Sequence, residues 1–219
     1  MNEVAGVLVL ALVGGVLALD GTSVGQFMLS RPLVACTLAG WIAGSGADGA
    51  VIGVVLEALH LAVLPVGAVR YPEAAPASVA AAGVYVASGG GEATLLVAVL
   101  FALGWEWAGS ASVGWLRHVN VAAAAPEGLD SLDDVERRHL RAIALDFARG
   151  VALTGAGLLV LSAIMHLVPL DGFPTGWARL AVGLSAAAAL SSALRLFGRR
   201  RMAWFVAGVA GGLLLLFLR

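Results

Sequence analysis

The chain has 219 residues, 60% of them hydrophobic and 12% charged, with a formal net charge of −1 and a mean hydropathy of +0.95. A soluble domain carries roughly 25% charged residues, so this composition excludes a protein that faces water on all sides. It also lacks the basic stripe with interleaved aromatics that a nucleic-acid partner requires.

In chain order, the first apolar run is Val4–Leu19, closed by Asp20-Gly21-Thr22-Ser23. Met1-Asn2-Glu3 lacks the basic region of a cleavable signal, so this run is expected to remain as a span. A polar-flecked stretch, Val24–Arg31, leads to the short run Leu33–Gly44, which stops at Ser45-Gly46-Ala47-Asp48-Gly49. Ala50–Val69 is interrupted by Pro65, and Ser78–Ala87 ends in the Ser88–Gly91 glycine run. Thr94–Leu116 carries Trp105 and Trp107; the charge then concentrates in Arg117–Arg149 before three more apolar runs, Gly150–Val168, Trp177–Leu194 and Met202–Leu218. Runs of about 17–20 residues match a hydrocarbon core roughly 30 Å thick. Leu33–Gly44 and Ser78–Ala87 are too short to cross at helical rise, unless their ends extend beyond the apolar residues; core, interfacial or re-entrant segments fit them. The expected fold is all-α: one membrane-embedded domain, 1–219, forming a polytopic helical bundle with short re-entrant or broken helices in its N-terminal half. Glycine pairs at helical spacing (Gly40 with Gly44, Gly49 with Gly53, Gly208 with Gly212) permit close helix approach.

Arginine placement orients the chain. Arg117, Arg137, Arg138, Arg141 and Arg149 lie in one predicted loop, 117–149, and Arg195 and Arg199-Arg200-Arg201 in another, 195–201. Two spans separate these loops, so they share a side, which the positive-inside rule makes cytoplasmic. Within the first loop, Leu129–Leu145 has acidic N-terminal residues and an incomplete apolar stripe. It reads as an amphipathic helix on the membrane surface or as a partner-docking element.

Ionisable groups at membrane depth cost roughly 2.5–3.5 kcal/mol on insertion scales, which makes them functional candidates. Glu57 falls near the middle of Ala50–Val69, with His60 three residues on and on the same helical face. They read either as a patch lining a ligand cavity or as a structural pair, with Glu57 satisfied by His60, Arg31 or Arg70. Glu73, after Pro72, suits binding or a salt bridge with Arg70. Arg31 is assigned a structural role, and Gln26 and Asp20 add hydrogen-bonding groups nearby. Glu106, His118 and His166 read as interfacial residues. Cys36, the single cysteine, excludes a multi-cysteine metal site and an intrachain disulfide. No zinc spacing and no nucleophile–base, P-loop or dinucleotide motif is present, so no metal, cofactor or catalytic residue is expected.

The stretch Gly25–Gly40, containing Ser30-Arg31-Pro32-Leu33-Val34, resembles the membrane-embedded IIC subunit of mannose/fructose/sorbose-family phosphotransferase systems. A second block agrees in order and spacing: Gly53-Val54-Val55-Leu56-Glu57-Ala58-Leu59, then Val66-Gly67-Ala68, then Pro72-Glu73 through Ala77-Ser78. The resemblance covers roughly the first 90 residues, and the pattern is poorly matched beyond about Gly104. It implies a sugar permease subunit of a bacterial inner membrane. Such a subunit acts with a IID-type membrane partner and soluble IIA and IIB proteins in an oligomeric complex, and carries no phosphohistidine itself. Gln26, Glu57 and Glu73 fall on the matching motifs; with His60 and Asp20 they are the expected sugar contacts, while Arg31 and Arg70 are expected in ion pairs. On this reading Glu57→Gln weakens hexose uptake and leaves assembly intact. The rival reading is a non-transporting scaffold or sensor that docks the same partners.

Overall fold

The computed structural model describes residues 3–61, 71–123, 132–170 and 176–198, with scattered positions between 203 and 211. Arg70, the Pro65 interruption and most of the Met202–Leu218 run lie outside the described residues. Seven α-helices and no strands occur among the described residues: α1 (Glu3–Thr22), α2 (Pro32–Ala43), α3 (Gly46–His60), α4 (Ala74–Ala87), α5 (Glu92–Ala123), α6 (Leu132–Leu167) and α7 (Trp177–Phe197). The protein is an all-α membrane bundle. Helices α1, α5 and α6 are long and apolar enough to cross a bilayer.

The three helices between α1 and α5 are short for identifiable reasons. Arg31 is extended at the N-cap of α2 and Pro32 opens the helix, where its fixed φ and missing N–H cost nothing. The Ser45 side chain caps α3 by accepting from the Asp48 amide at 3.3 Å. Helix α4 follows Pro72-Glu73 and ends at three successive glycines, Gly89, Gly90 and Gly91, all with positive φ. At 1.5 Å per residue, the 12 residues of α2, 15 of α3 and 14 of α4 reach only about 18–22 Å, short of the hydrocarbon core. The apolar run expected over Ala50–Val69 therefore differs from α3, which starts earlier and ends at His60.

Helices α2 and α3 form a tight antiparallel hairpin. A Cβ on Gly40 would lie 2.6 Å from the Gly49 Cα, and one on Gly53 would lie 3.0 Å from the Leu33 Cα, so only glycine allows this approach. Helix α4 is buried on every side from Ala75 to Tyr85, and α1, α2, α3, α5 and α6 all pack around it. Its sequence, almost entirely alanine, valine and other small residues, suits a helix that must admit five neighbours. Helix α1 crosses α6 with comparable closeness: a Cβ on Gly150 would be 2.7 Å from the Ala18 Cβ and 3.0 Å from the Gly15 Cα.

Helix α6 corrects one expectation. The sequence separates an amphipathic helix within the 117–149 loop from a span that begins at Gly150, yet one helix runs unbroken for 36 residues. Between Leu132 and Arg149 there is no glycine or proline to stop it, and Ala, Leu, Arg and Glu are strong helix formers. The consequence is that Asp146 and Arg149 are buried within the bundle.

Candidate functional site

The end of α1, the start of α2, the end of α3 and the start of α4 converge on one cavity of about 400 Å³. Pro32 and His60 both line it, so the open end of the α2–α3 hairpin faces the cavity and its tip points away. Gly114, Arg117 and His118 of α5 also line it, which places the cavity toward the end where α5 finishes and α6 begins. Interrupted helices whose termini meet inside a membrane bundle leave backbone groups free for a ligand.

Glu73 forms part of the cavity wall. The amide of this residue donates to the Glu106 carbonyl of α5 at 3.2 Å. Both oxygens of its carboxylate are held by Arg149: Nη1 donates to Oε2 and Nη2 to Oε1, each at 2.6 Å. Arg149 also donates to Asp146 Oδ1, from Nε at 3.0 Å and from Nη2 at 2.7 Å, and to Ser112 Oγ at 2.8 Å. Asp146 Oδ2 in turn accepts from the hydroxyls of Thr22, at 2.5 Å, and Ser23. One network thus ties α1, the start of α4, α5 and α6 together. Two carboxylates share one guanidinium, and the hydroxyl donors offset part of the remaining negative charge.

His60 lies in the wall with both ring nitrogens engaged. Nδ1 is 2.9 Å from the Leu56 carbonyl, and Nε2 is 3.1 Å from Glu106 Oε2. A carbonyl only accepts, so the Nδ1 proton is required and the His60–Glu106 pair shares one further proton between Nε2 and the carboxylate. Glu106 Oε1 is buried and has no partner among the described residues. The expected interfacial setting for Glu106 is corrected here: Trp107 is exposed while Glu106 is buried, because adjacent helical positions point about 100° apart. Trp105 turns inward, donating to the Leu153 carbonyl at 3.1 Å and stacking on Phe101.

The other described candidates lie on the elements that form the cavity. Glu57 pairs with Arg31, whose Nε donates to Oε1 at 2.8 Å, and it accepts from the Leu33 amide at 3.3 Å. The same-face pairing of Glu57 with His60 is not formed; the crossing of α5 supplies Glu106 to the histidine instead. Asp20 holds the 23–31 turn, accepting from the Phe27 amide at 2.6 Å and the Ser30 amide at 2.9 Å. Gln26 is exposed on that turn with φ 56°, beside Met28 at φ 64°, both in the sparsely populated left-handed region. Of the seven candidates, His60, Glu73 and Arg31 line the cavity.

Sequence reasoning missed Asp146, Arg149 and Glu106. A signal for the first two was available: opposite charges at i,i+3 directly abutting an apolar run. Two cavity hydroxyl residues, Ser110 and Tyr71, were also missed. No group of three His, Cys, Asp or Glu side chains that could hold a metal ion occurs among the described residues.

Comparison with known proteins follows the same lines. The mannose-specific EIIC component of Escherichia coli K12 is 38% identical over 72 residues, 33% of this chain and 27% of that protein's length. The sorbose-specific EIIC component of Klebsiella pneumoniae is 26% identical over 203 residues, covering 89% of this chain and 75% of that protein. Among solved structures, one described as a membrane protein matches with a TM-score of 0.72 and 23% identity, over 97% of this chain and 87% of the other. A chain of the mannose transporter ManYZ in complex with microcin E492 matches with a TM-score of 0.64 and 22% identity, with the same coverage. The likeness extends past the first 90 residues, and since the model of the sorbose-specific IIC component of phosphotransferase systems matches residues 4–125, more than half of the chain, this multi-pass membrane protein belongs to that family.

Proposed function

We propose that the chain is the sugar permease subunit of a mannose-type phosphotransferase system. In this reading it binds a hexose or related sugar in the cavity and passes it across the membrane as partner subunits phosphorylate it. The observation that carries this reading is the composition of the cavity wall at the junction of four helix ends. A volume of about 400 Å³ falls within the range of small-molecule sites, roughly 300–1,000 Å³. The Glu73 carboxylate accepts hydrogen bonds, and the hydroxyls of Ser110 and Tyr71 have no partner among the described residues, so they both donate and accept. That mixture suits a neutral polyol. The Tyr71 ring offers an apolar face to the ligand.

The related proteins' names support mannose and sorbose as the first sugars to try. The cavity lies toward the arginine-rich end, which the positive-inside rule assigns to the cytoplasm; a bound sugar there faces soluble phosphorylating partners. His60, with both nitrogens engaged, contributes ring surface, and Asp20, Glu57 and Arg31 hold the walls.

The test is labelled-sugar uptake by cells producing the chain with a IID-type membrane subunit and soluble IIA and IIB components. Uptake of mannose, fructose or sorbose that depends on this chain and falls in Glu73→Gln and Ser110→Ala supports the reading. A complex that assembles fully yet takes up none of these sugars overturns it in favour of a scaffold.

A further inference from the structure

We infer that Arg149 and Asp146 are positioning residues that hold the Glu73 carboxylate as a fixed hydrogen-bond acceptor for a sugar hydroxyl; this rests on the sugar-binding reading of the cavity. The argument is a count of donors and acceptors. A guanidinium has five N–H donors, and Arg149 uses all five: one from Nε to Asp146, two from Nη1 to Glu73 and Ser112, and two from Nη2 to Glu73 and Asp146. Asp146 accepts two bonds on Oδ1 from Arg149 and, on Oδ2, one from Ser23 and one from Thr22, whose single hydroxyl proton is shared with the Ala18 carbonyl at 3.0 Å, so its roughly four sites are all faced by donors. Ser112 accepts from Arg149 and donates to the Gly109 carbonyl at 2.7 Å.

Among the three charged groups, Glu73 alone has capacity left. Each of its oxygens accepts one bond from Arg149, leaving about one lone-pair site on each, and it is the member of the Glu73–Asp146–Arg149 trio that lines the cavity. The saturated pair behind it therefore cannot be borrowed by a ligand. It fixes the orientation of the carboxylate and keeps it an acceptor, so the ligand must donate. Arg149→Lys keeps the charge, but an ammonium has three donors and cannot fill both Glu73 oxygens and Asp146 in the same planar geometry.

The experiment is equilibrium binding of labelled mannose, fructose and sorbose to the full chain in membranes with its partner subunits, as a double-mutant cycle. Arg149→Lys is expected to raise Kd about tenfold, the loss of roughly one charged hydrogen bond, with the amount of assembled complex unchanged. Arg149→Lys/Glu73→Gln is expected to bind no more weakly than Glu73→Gln alone, since the arginine acts through the glutamate. Asp146→Asn, run through the same cycle, keeps the test open if Arg149→Lys does not assemble. Unchanged Kd in the single variants, or additive losses in the double variant, overturns the positioning role while leaving the sugar site standing. Wild-type complex that binds none of the three sugars overturns the sugar-binding reading and this inference with it.

Discussion

Two glutamate–arginine pairs stand beside the cavity with the same chemistry and different settings. In Glu57–Arg31 the side chains are 20% and 35% exposed; in Glu73–Arg149 they are 7% and 6% exposed. The first pair is local, fastening the start of α2 to α3 within one hairpin. The second joins residues 76 apart in the chain and is continuous with Asp146, Thr22, Ser23 and Ser112, so nothing replaces a missing partner. Burial and connectivity, more than residue type, decide which ion pair the bundle depends on.

Four substitutions test this contrast. Arg149→Met strands two buried carboxylates, and is expected to cost about 3–5 kcal/mol, seen as a steep fall in thermal unfolding temperature in mild detergent. Gly49→Val sets a Cβ against the Cys36 carbonyl and 2.8 Å from the Gly40 Cα; about 1–3 kcal/mol of overpacking is expected. The same thermal assay reads it, and a variant as stable as wild type would mean the α2–α3 hairpin is not packed through its glycines. Glu106→Gln keeps a hydrogen-bonding partner for His60 Nε2 and removes the carboxylate, so a loss near 1 kcal/mol is expected in the same thermal assay. Glu57→Gln has the smallest effect, below about 1 kcal/mol after allowing for solvent screening of the half-open pair. Its thermal shift should shrink further as salt rises. A Glu57→Gln loss equal to that of Arg149→Met would erase the distinction between the two pairs.

The membrane character, two of the three short helices (α2 and α4) and their punctuation were legible before the fold. Composition excluded a soluble chain, Arg31-Pro32 marked a helix start, and the glycine run 88–91 marked a stop, because each acts through local backbone geometry or simple transfer energy. Glu73 stood out on the same grounds: a carboxylate beside a broken helix is expensive. Arg149 did not, since a charge that borders an apolar run looks like the end of a loop until the helix is seen to continue through it. Glu106 was hidden by its tryptophan neighbours, whose interfacial preference says nothing about a residue facing another side of the helix.

Residue types and their places in the apolar runs mark which side chains need a partner: Glu57, His60 and Glu73 all carry a burial cost that something must offset. The identity of each partner is set by the packing of the helices. His60 meets Glu106 rather than Glu57, and Glu73 meets Arg149, because these contacts depend on how α3, α5 and α6 cross around α4. Helix crossings are set by small residues distributed over several segments, among them Gly15 and Gly150, and no local pattern encodes which distant side chains such packing brings together.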